Sequence, residues 1–145
     1  MAEACNRTIA EGVNAVAFGD LFVEDVRAYR ERQLAPTGLE PLFPLWGLPT
    51  VELARGMIAG GLRARLTCVD TRVLPAEFAG REFDEALLRD LPEGTDSCAE
   101  RGEFHSCAYA GPMFSAPLRL EAGEVVNRDG FVYADFGVEG AAQAV

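Results

Sequence analysis

The chain has 145 residues, 49% of them hydrophobic, and a net charge of −10 from 23 acids against 13 bases. That length and composition suffice to bury a real core, while the acidic balance opposes phosphate backbones and excludes non-specific nucleic-acid binding. No run approaches the ~18 apolar residues of a membrane span, and the N-terminus lacks the basic-then-apolar order of a secretory signal, so the expected location is the cytoplasm.

Residues 1–11 are rich in helix formers, and Ile9 followed by Gly12 marks a helix tail closed by glycine. Val13 to Phe18, short, apolar and bounded by Gly12 and Gly19, predicts a buried strand of a parallel sheet. Leu21 to Leu34 predicts a helix, within which Arg27 and Glu31 can pair one turn apart. Residues 35–49 hold four prolines and predict a loop, whose core Pro41-Leu42-Phe43-Pro44-Leu45-Trp46-Gly47 is too apolar for a solvated linker. Thr50 caps a helix to Ala59, with Val51, Ala54 and Ile58 on one face and Gly60-Gly61 as its stop.

Arg63 to Val69 predicts a strand with Asp70 at its end, and Glu82 to Leu91 a helix with Phe83, Leu87, Leu88 and Leu91 inward. After Gly102, Glu103 to Ala110 alternates as a strand. Leu118 to Glu121, Glu124 to Asn127 and Phe131 to Phe136 predict further strands, the last two joined by an Asp129-Gly130 hairpin turn. Residues 137–145 are small and predict a frayed tail. The class is α/β: a partial parallel sheet with helices, then an α+β part with a C-terminal antiparallel sheet.

Three clusters carry chemistry. Gly19-Asp20 falls at the carboxyl end of the first strand, where open parallel sheets bind ligands, and Arg27 and Arg30 can clamp a carboxylate or phosphate. The same residues also fit a solvated helix face balanced by Glu24 and Glu31. Trp46 can stack on a substrate ring or simply fill a core. The tract Asp96-Ser97-Cys98-Ala99-Glu100-Arg101-Gly102-Glu103-Phe104-His105-Ser106 packs acids, a thiol, an imidazole and a hydroxyl around a glycine. Strand alternation would put Glu103 and His105 on one face, where they could share a substrate and a proton; a surface loop with a half-buried histidine is the other reading.

All the basic residues are arginine, so a Schiff-base lysine, a P-loop lysine and a lysine general base are excluded within this chain. The four cysteines form no Cys-x-x-Cys pair, and Cys98, His105 and Cys107 match no common zinc spacing, so no metal is expected. Cys107 and His105 could form a nucleophilic pair, but no orienting residue or oxyanion hole accompanies them.

The order Val-Ala-Phe-Gly-Asp (16–20), Glu-Asp-Val-Arg-Ala-Tyr-Arg (24–30), Pro-Leu-Phe-Pro-Leu-Trp (41–46) and Glu-Arg-Gly-Glu-Phe-His-Ser (100–106) resembles the diphthine–ammonia ligase family and its bacterial relatives. These are PP-loop ATP pyrophosphatases on the adenine nucleotide alpha hydrolase (HUP-type) fold. The resemblance covers residues 1–136. It implies that ATP adenylates a carboxylate, pyrophosphate leaves and ammonia attacks to give an amide, with ATP and Mg2+ as cofactors of the full-length family. It makes residues 1–20 the end of the nucleotide domain, 21–136 the substrate domain and 137–145 the tail. It places Gly19, Asp20, Arg27 and Arg30 at the nucleotide cleft, and Glu100, Gly102, Glu103, His105 and Trp46 on the substrate side.

The family's Ser-Gly-Gly-Lys-Asp-Ser loop is absent from these residues, Ala99 replaces a usual glycine, and Arg101 takes a position often small or polar. The expectation is therefore the substrate part of a longer ligase, with Met1 an internal methionine. By itself it would need no cofactor and be inactive. A non-catalytic binding module, or a scaffold subunit completed by a separate PP-loop chain, is the alternative. The expected partners are a small-molecule or modified-residue carboxylate, and either a PP-loop chain or a second copy associating through the unpaired edge of the first strand.

Overall fold

The computed structural model describes residues 2–140, without the side chains of residues 2–4 and 6. They form two compact units, Met1–Pro49 and Thr50–Val145. The expected class holds: a two-stranded parallel sheet precedes a four-stranded antiparallel one. No helix among the described residues is long and apolar enough to cross a membrane.

In the first unit, α1 (Ala2–Ala10) ends at Gly12, whose φ of +88° lets the chain reverse and the Val13 N–H return to the Thr8 carbonyl at 3.0 Å. Strand β1 (Ala15–Ala17) is shorter than the predicted 13–18 and is half-buried to exposed rather than buried. Helix α2 (Glu24–Leu34) starts three residues later than predicted, with Glu24 and Asp25 in the first turn, where the helix dipole favours acids.

The predicted 35–49 loop hides a strand. After a 3₁₀ turn at Ala35–Thr37 and Gly38 in the left-handed region, β2 (Glu40–Leu42) runs parallel to β1 with Val16 opposite Pro41. Proline, lacking an N–H, is tolerated only on such an edge, which is why the sequence reads as loop here. Cys5, Leu34 and Leu39 are buried, with Val16 and Phe18 packed against them.

In the second unit, α3 (Thr50–Ala59) buries Ala54 and packs Met57 and Ile58 on the core, but Val51, predicted on that face, is exposed. Gly60-Gly61 ends it as expected, Gly61 at φ +89°. Strand β3 (Arg63–Asp70) follows.

The predicted helix over 82–91 shortens to α4 (Glu85–Asp90), because residues 80–83 pair beside β3 instead. Gly80 N–H donates to the Leu66 carbonyl at 2.8 Å and Phe83 N–H to that of Ala64 at 2.8 Å. Asp84 caps α4, its carboxylate accepting the Leu87 N–H at 2.8 Å.

Strands β4 (Phe104–Ala110), β5 (Leu120–Arg128) and β6 (Phe131–Val138) complete a sheet ordered β4-β3-β6-β5. The two strands predicted across 118–127 are one strand, irregular between Ala122 and Val125. Asp129 (φ +54°) and Gly130 (φ +82°) make the predicted hairpin turn. Gly137 and Val138 belong to β6 and so are not frayed; residues 141–145 of the predicted tail lie outside the described residues.

One face of this sheet supplies Ala64, Leu66, Val69, Phe104 and Val132 to a core closed by Ala54, Leu74, Phe78, Phe83 and Leu87. Leu66→Ala should therefore cost about 3 kcal/mol in urea unfolding, from lost burial plus a cavity. Val126→Ala, on the solvated edge strand, should stay within about 0.5 kcal/mol.

Candidate functional site

The polar tract folds as a loop drawn around two buried carboxylates. Asp96 is 8% exposed and Glu103 is 7% exposed. Glu103 Oε1 accepts the Asp96 N–H at 3.2 Å and its Oε2 accepts the Arg101 N–H at 3.1 Å. Asp96 Oδ2 accepts the Glu100 N–H at 2.8 Å. Two further backbone bonds tighten the turn: Ala99 N–H to the Asp96 carbonyl at 3.0 Å, and Gly102 N–H to the Ala99 carbonyl at 2.9 Å. Buried amides without partners are costly, and here the carboxylates supply them.

The turn needs two residues in the left-handed region. Gly102, at φ +82°, fits without cost, whereas Ala99, at φ +55°, carries a Cβ there. Ala99 stands where the resembled family usually has glycine, and its positive φ is a conformation that glycine adopts at no cost.

Glu103 also lines a cavity of about 410 Å³ together with Asp70, Val73, Glu93, Gly94, Thr95 and Arg101. Asp70 is gripped by Arg72, with Nε at 2.8 Å from Oδ1 and Nη2 at 2.6 Å from Oδ2. Those bonds, and the Arg72 backbone N–H, hold the Asp70 carboxyl below the usual carboxylate range. The cavity is thus lined by Glu93 and Arg101 together with Asp70 and Glu103, whose carboxylates are already engaged by Arg72 and by loop amides. Such a mixture suits a ligand carrying both a cationic group and a carboxylate, and repels a polyphosphate. Glu100 and Gly102 shape the turn behind the cavity wall.

His105 does not join Glu103. Strand β4 begins at Phe104, so Glu103 sits in the preceding turn with its carboxylate folded back on the loop. His105 is exposed and lines a different hollow, of about 570 Å³, with Thr67, Cys107 and Tyr133. The expectation that the two share one strand face is corrected by that turn. Cys98 is held apart from both: its thiol donates to the Thr50 carbonyl at 3.4 Å. Burial first, then the Asp96 and Glu100 charges, push it up to about 11. Among the described residues no group of three or more His, Cys, Asp or Glu side chains is placed to hold a metal ion.

The other residues with predicted roles lie in the first unit. Asp20 Oδ2 sits 3.5 Å from Arg30 Nε, and the Arg30 guanidinium lies over the Phe18 ring at 5.1 Å. Arg27 pairs with Glu31 at 2.9 Å and lies over both Phe43 (4.6 Å) and Trp46 (4.8 Å). Phe18 stacks on Phe43, whose ring meets Trp46 edge-on. The two arginines are thus laid on separate rings, each beside its own carboxylate, and Trp46 is one of those rings. Gly19 precedes this cluster, exposed, at the end of β1.

Sequence reasoning passed over Glu93 and Thr95 as cavity wall and Phe18 and Phe43 as arginine platforms. Only the Pro-Glu-Gly turn and the aromatic spacing could have signalled them.

No protein-family model matches this chain. A search of characterised proteins finds similarity to the diphthine–ammonia ligase of Danio rerio, 29% identical over 130 residues. The match covers 86% of this chain and 51% of the relative, so the chain spans about half the length of the curated protein that it matches.

Two outcomes follow from the loop. Ala99→Gly should raise stability by about 1 kcal/mol in thermal or urea unfolding, because the Cβ penalty at positive φ outweighs the added chain entropy of glycine. Alkylation at about pH 8, followed by mass spectrometry of the peptides, should label exposed Cys107 long before Cys98, only about one part in a thousand of which is thiolate there.

Proposed function

We propose that this chain is the substrate-handling part of an amide-forming ligase of the diphthine–ammonia ligase type. The similarity over 130 residues to such a ligase is the observation that carries the reading. The tract expected to handle substrate contributes Arg101 and Glu103 to the 410 Å³ cavity, and Glu100 and Gly102 to the turn that carries them.

In this reading Arg101 meets the substrate carboxylate and Glu93 draws in a positively charged part of the same ligand, while Asp70, gripped by Arg72, shapes the wall. Glu103 is a positioning residue. Both of its oxygens are engaged by amides, so it sets the loop that carries Arg101.

The chemistry implied by the family uses ATP with Mg2+ to activate the carboxylate before ammonia attacks. The residues described do not fit a triphosphate: the cavity wall is acidic, the chain has no lysine, and Arg27 and Arg30 are paired and stacked. We assign ATP activation to a PP-loop domain, whether on the same polypeptide or on a separate chain. The same acidic wall also favours a second reading, a small-molecule binding module without catalysis.

A pyrophosphate and AMP assay with ATP, Mg2+, ammonium and a diphthine-bearing substrate separates these readings. The 145 residues alone should release neither product. Adding the half of the Danio rerio ligase that lies outside the match should produce both, and Arg101→Ala should lower that rate roughly tenfold. Ammonia-dependent AMP release by the chain alone would overturn the division of labour. No AMP from a mixture in which both parts are folded and associated would overturn the ligase reading.

A further inference from the structure

The 570 Å³ hollow shares no residue with the acid-lined cavity and takes no part in the function proposed above. It lies on the face of the antiparallel sheet turned away from the core. The pairing places Cys68 opposite His105 on one side and opposite Tyr133 on the other. Directly opposed residues project from the same face, so an imidazole, a small thiol and a phenol stand in a row across three strands.

Neighbouring strands are about 4.8 Å apart, so the outer two residues spring from backbones about 9.5 Å apart, with the short Cys68 side chain as the floor between them. Burial, the largest effect, pushes the Cys68 thiol up against the opposing influence of Tyr133, so this small, buried side chain is a floor and not a nucleophile. Phe131 stands beside Tyr133, ring centroids 6.4 Å apart, and Asp135 follows on the same strand face.

Tyr133 and Asp135 also wall a smaller hollow of about 200 Å³ on the β5 side, which Arg128 and Val126 complete. There the Arg128 guanidinium lies over the Tyr133 ring at 5.3 Å, and Arg72 lies over Phe131 at 5.4 Å. A cation already resting on a ring draws its π density, so a further cation gains little from that ring while an electron-rich flat ring still stacks well. A phosphate is disfavoured by Asp135 and by the net charge of −10. The volume falls within the range of small-molecule sites.

We propose that this hollow binds a flat, uncharged heteroaromatic ring bearing adjacent N–H donors, of the guanine type, set over Cys68 between His105 and Tyr133 with its donors on the Asp135 carboxylate. A carboxylate accepts two parallel N–H bonds from such an edge, and stacking on the phenol and imidazole supplies the remainder. Adenine presents an acceptor at the corresponding edge and matches the carboxylate poorly.

The test is a titration of the full 145-residue chain with guanosine, followed by amide NMR. Saturable shifts are expected at Cys68, His105, Tyr133 and Asp135, with adenosine binding more weakly and guanosine monophosphate no more tightly than guanosine. Tyr133→Leu and Asp135→Asn should each weaken binding about tenfold. Asp135 is exposed, so its amide variant reports on binding even if the tyrosine variant fails to fold. Absence of saturable shifts with guanosine, equal binding of adenosine, or undiminished binding by folded Asp135→Asn would each overturn the proposal.

Discussion

The candidate site depends on one arrangement: the Glu103 carboxylate lies beneath its own loop and accepts the amides of Asp96 and Arg101. A buried carboxylate is costly unless its lone pairs are met, and loop amides are costly unless they find acceptors. Each need meets the other here. The Asp70 N–H also donates to the Glu103 carbonyl at 3.0 Å, so this residue ties the loop to the end of β3. With the loop fixed in this way, Arg101 and the Glu93-Gly94 turn are set around one cavity, and β4 can begin immediately after the turn.

That beginning decides which side chains can cooperate. A strand separates successive side chains to opposite faces, and reading the alternation from Glu103 would put His105 beside it. Glu103 instead belongs to the turn and its carboxylate folds back on the loop, so at the start of β4 Phe104 enters the core and His105 faces out without it. The polar tract therefore divides between two environments. Acidic groups gather at the loop, and aromatic and thiol groups gather on the open sheet face. A single dense stretch of sequence serves two hollows because one glutamate is withdrawn from the strand.

Much of this fold was legible in the sequence where local signals and burial agree. Gly12, Gly61 and Asp129-Gly130 mark real stops and turns, and Leu87, Leu88 and Leu91 mark the inner side of the segment that carries α4. What was illegible depended on pairing between distant segments. Strand β2 carries Pro41 and is only three residues long, so nothing local announces it; its parallel partner β1 makes it a strand. Residues 82–84 look helical, but the open backbone of β3 takes residues 80–83 as a neighbour, and Asp84 then caps a shorter helix. At the candidate site the residue types were readable and their directions were not. Glu103 stood out as a polar residue beside a strand, yet nothing in the spacing told that its carboxylate would fold inward.

The all-arginine composition acquires a structural meaning through the same contacts. Arg27, Arg30, Arg63, Arg72, Arg81 and Arg128 each lie over an aromatic ring, and all but Arg128 also pair with a carboxylate. A planar guanidinium can cover a ring and bond an acid at its edge together, which a lysine ammonium cannot do with equal geometry. These contacts occur in both units, some of them on exposed side chains such as Arg63 and Arg72. A phosphate chain requires several donors turned toward one point, whether backbone amides or mobile cations. In this chain the Asp96, Glu100 and Arg101 amides turn toward the Glu103 and Asp96 carboxylates, and the arginines over rings turn toward aromatic faces. The arrangement favours ligands recognised by shape, ring stacking and a few directed charges over ligands recognised by phosphate.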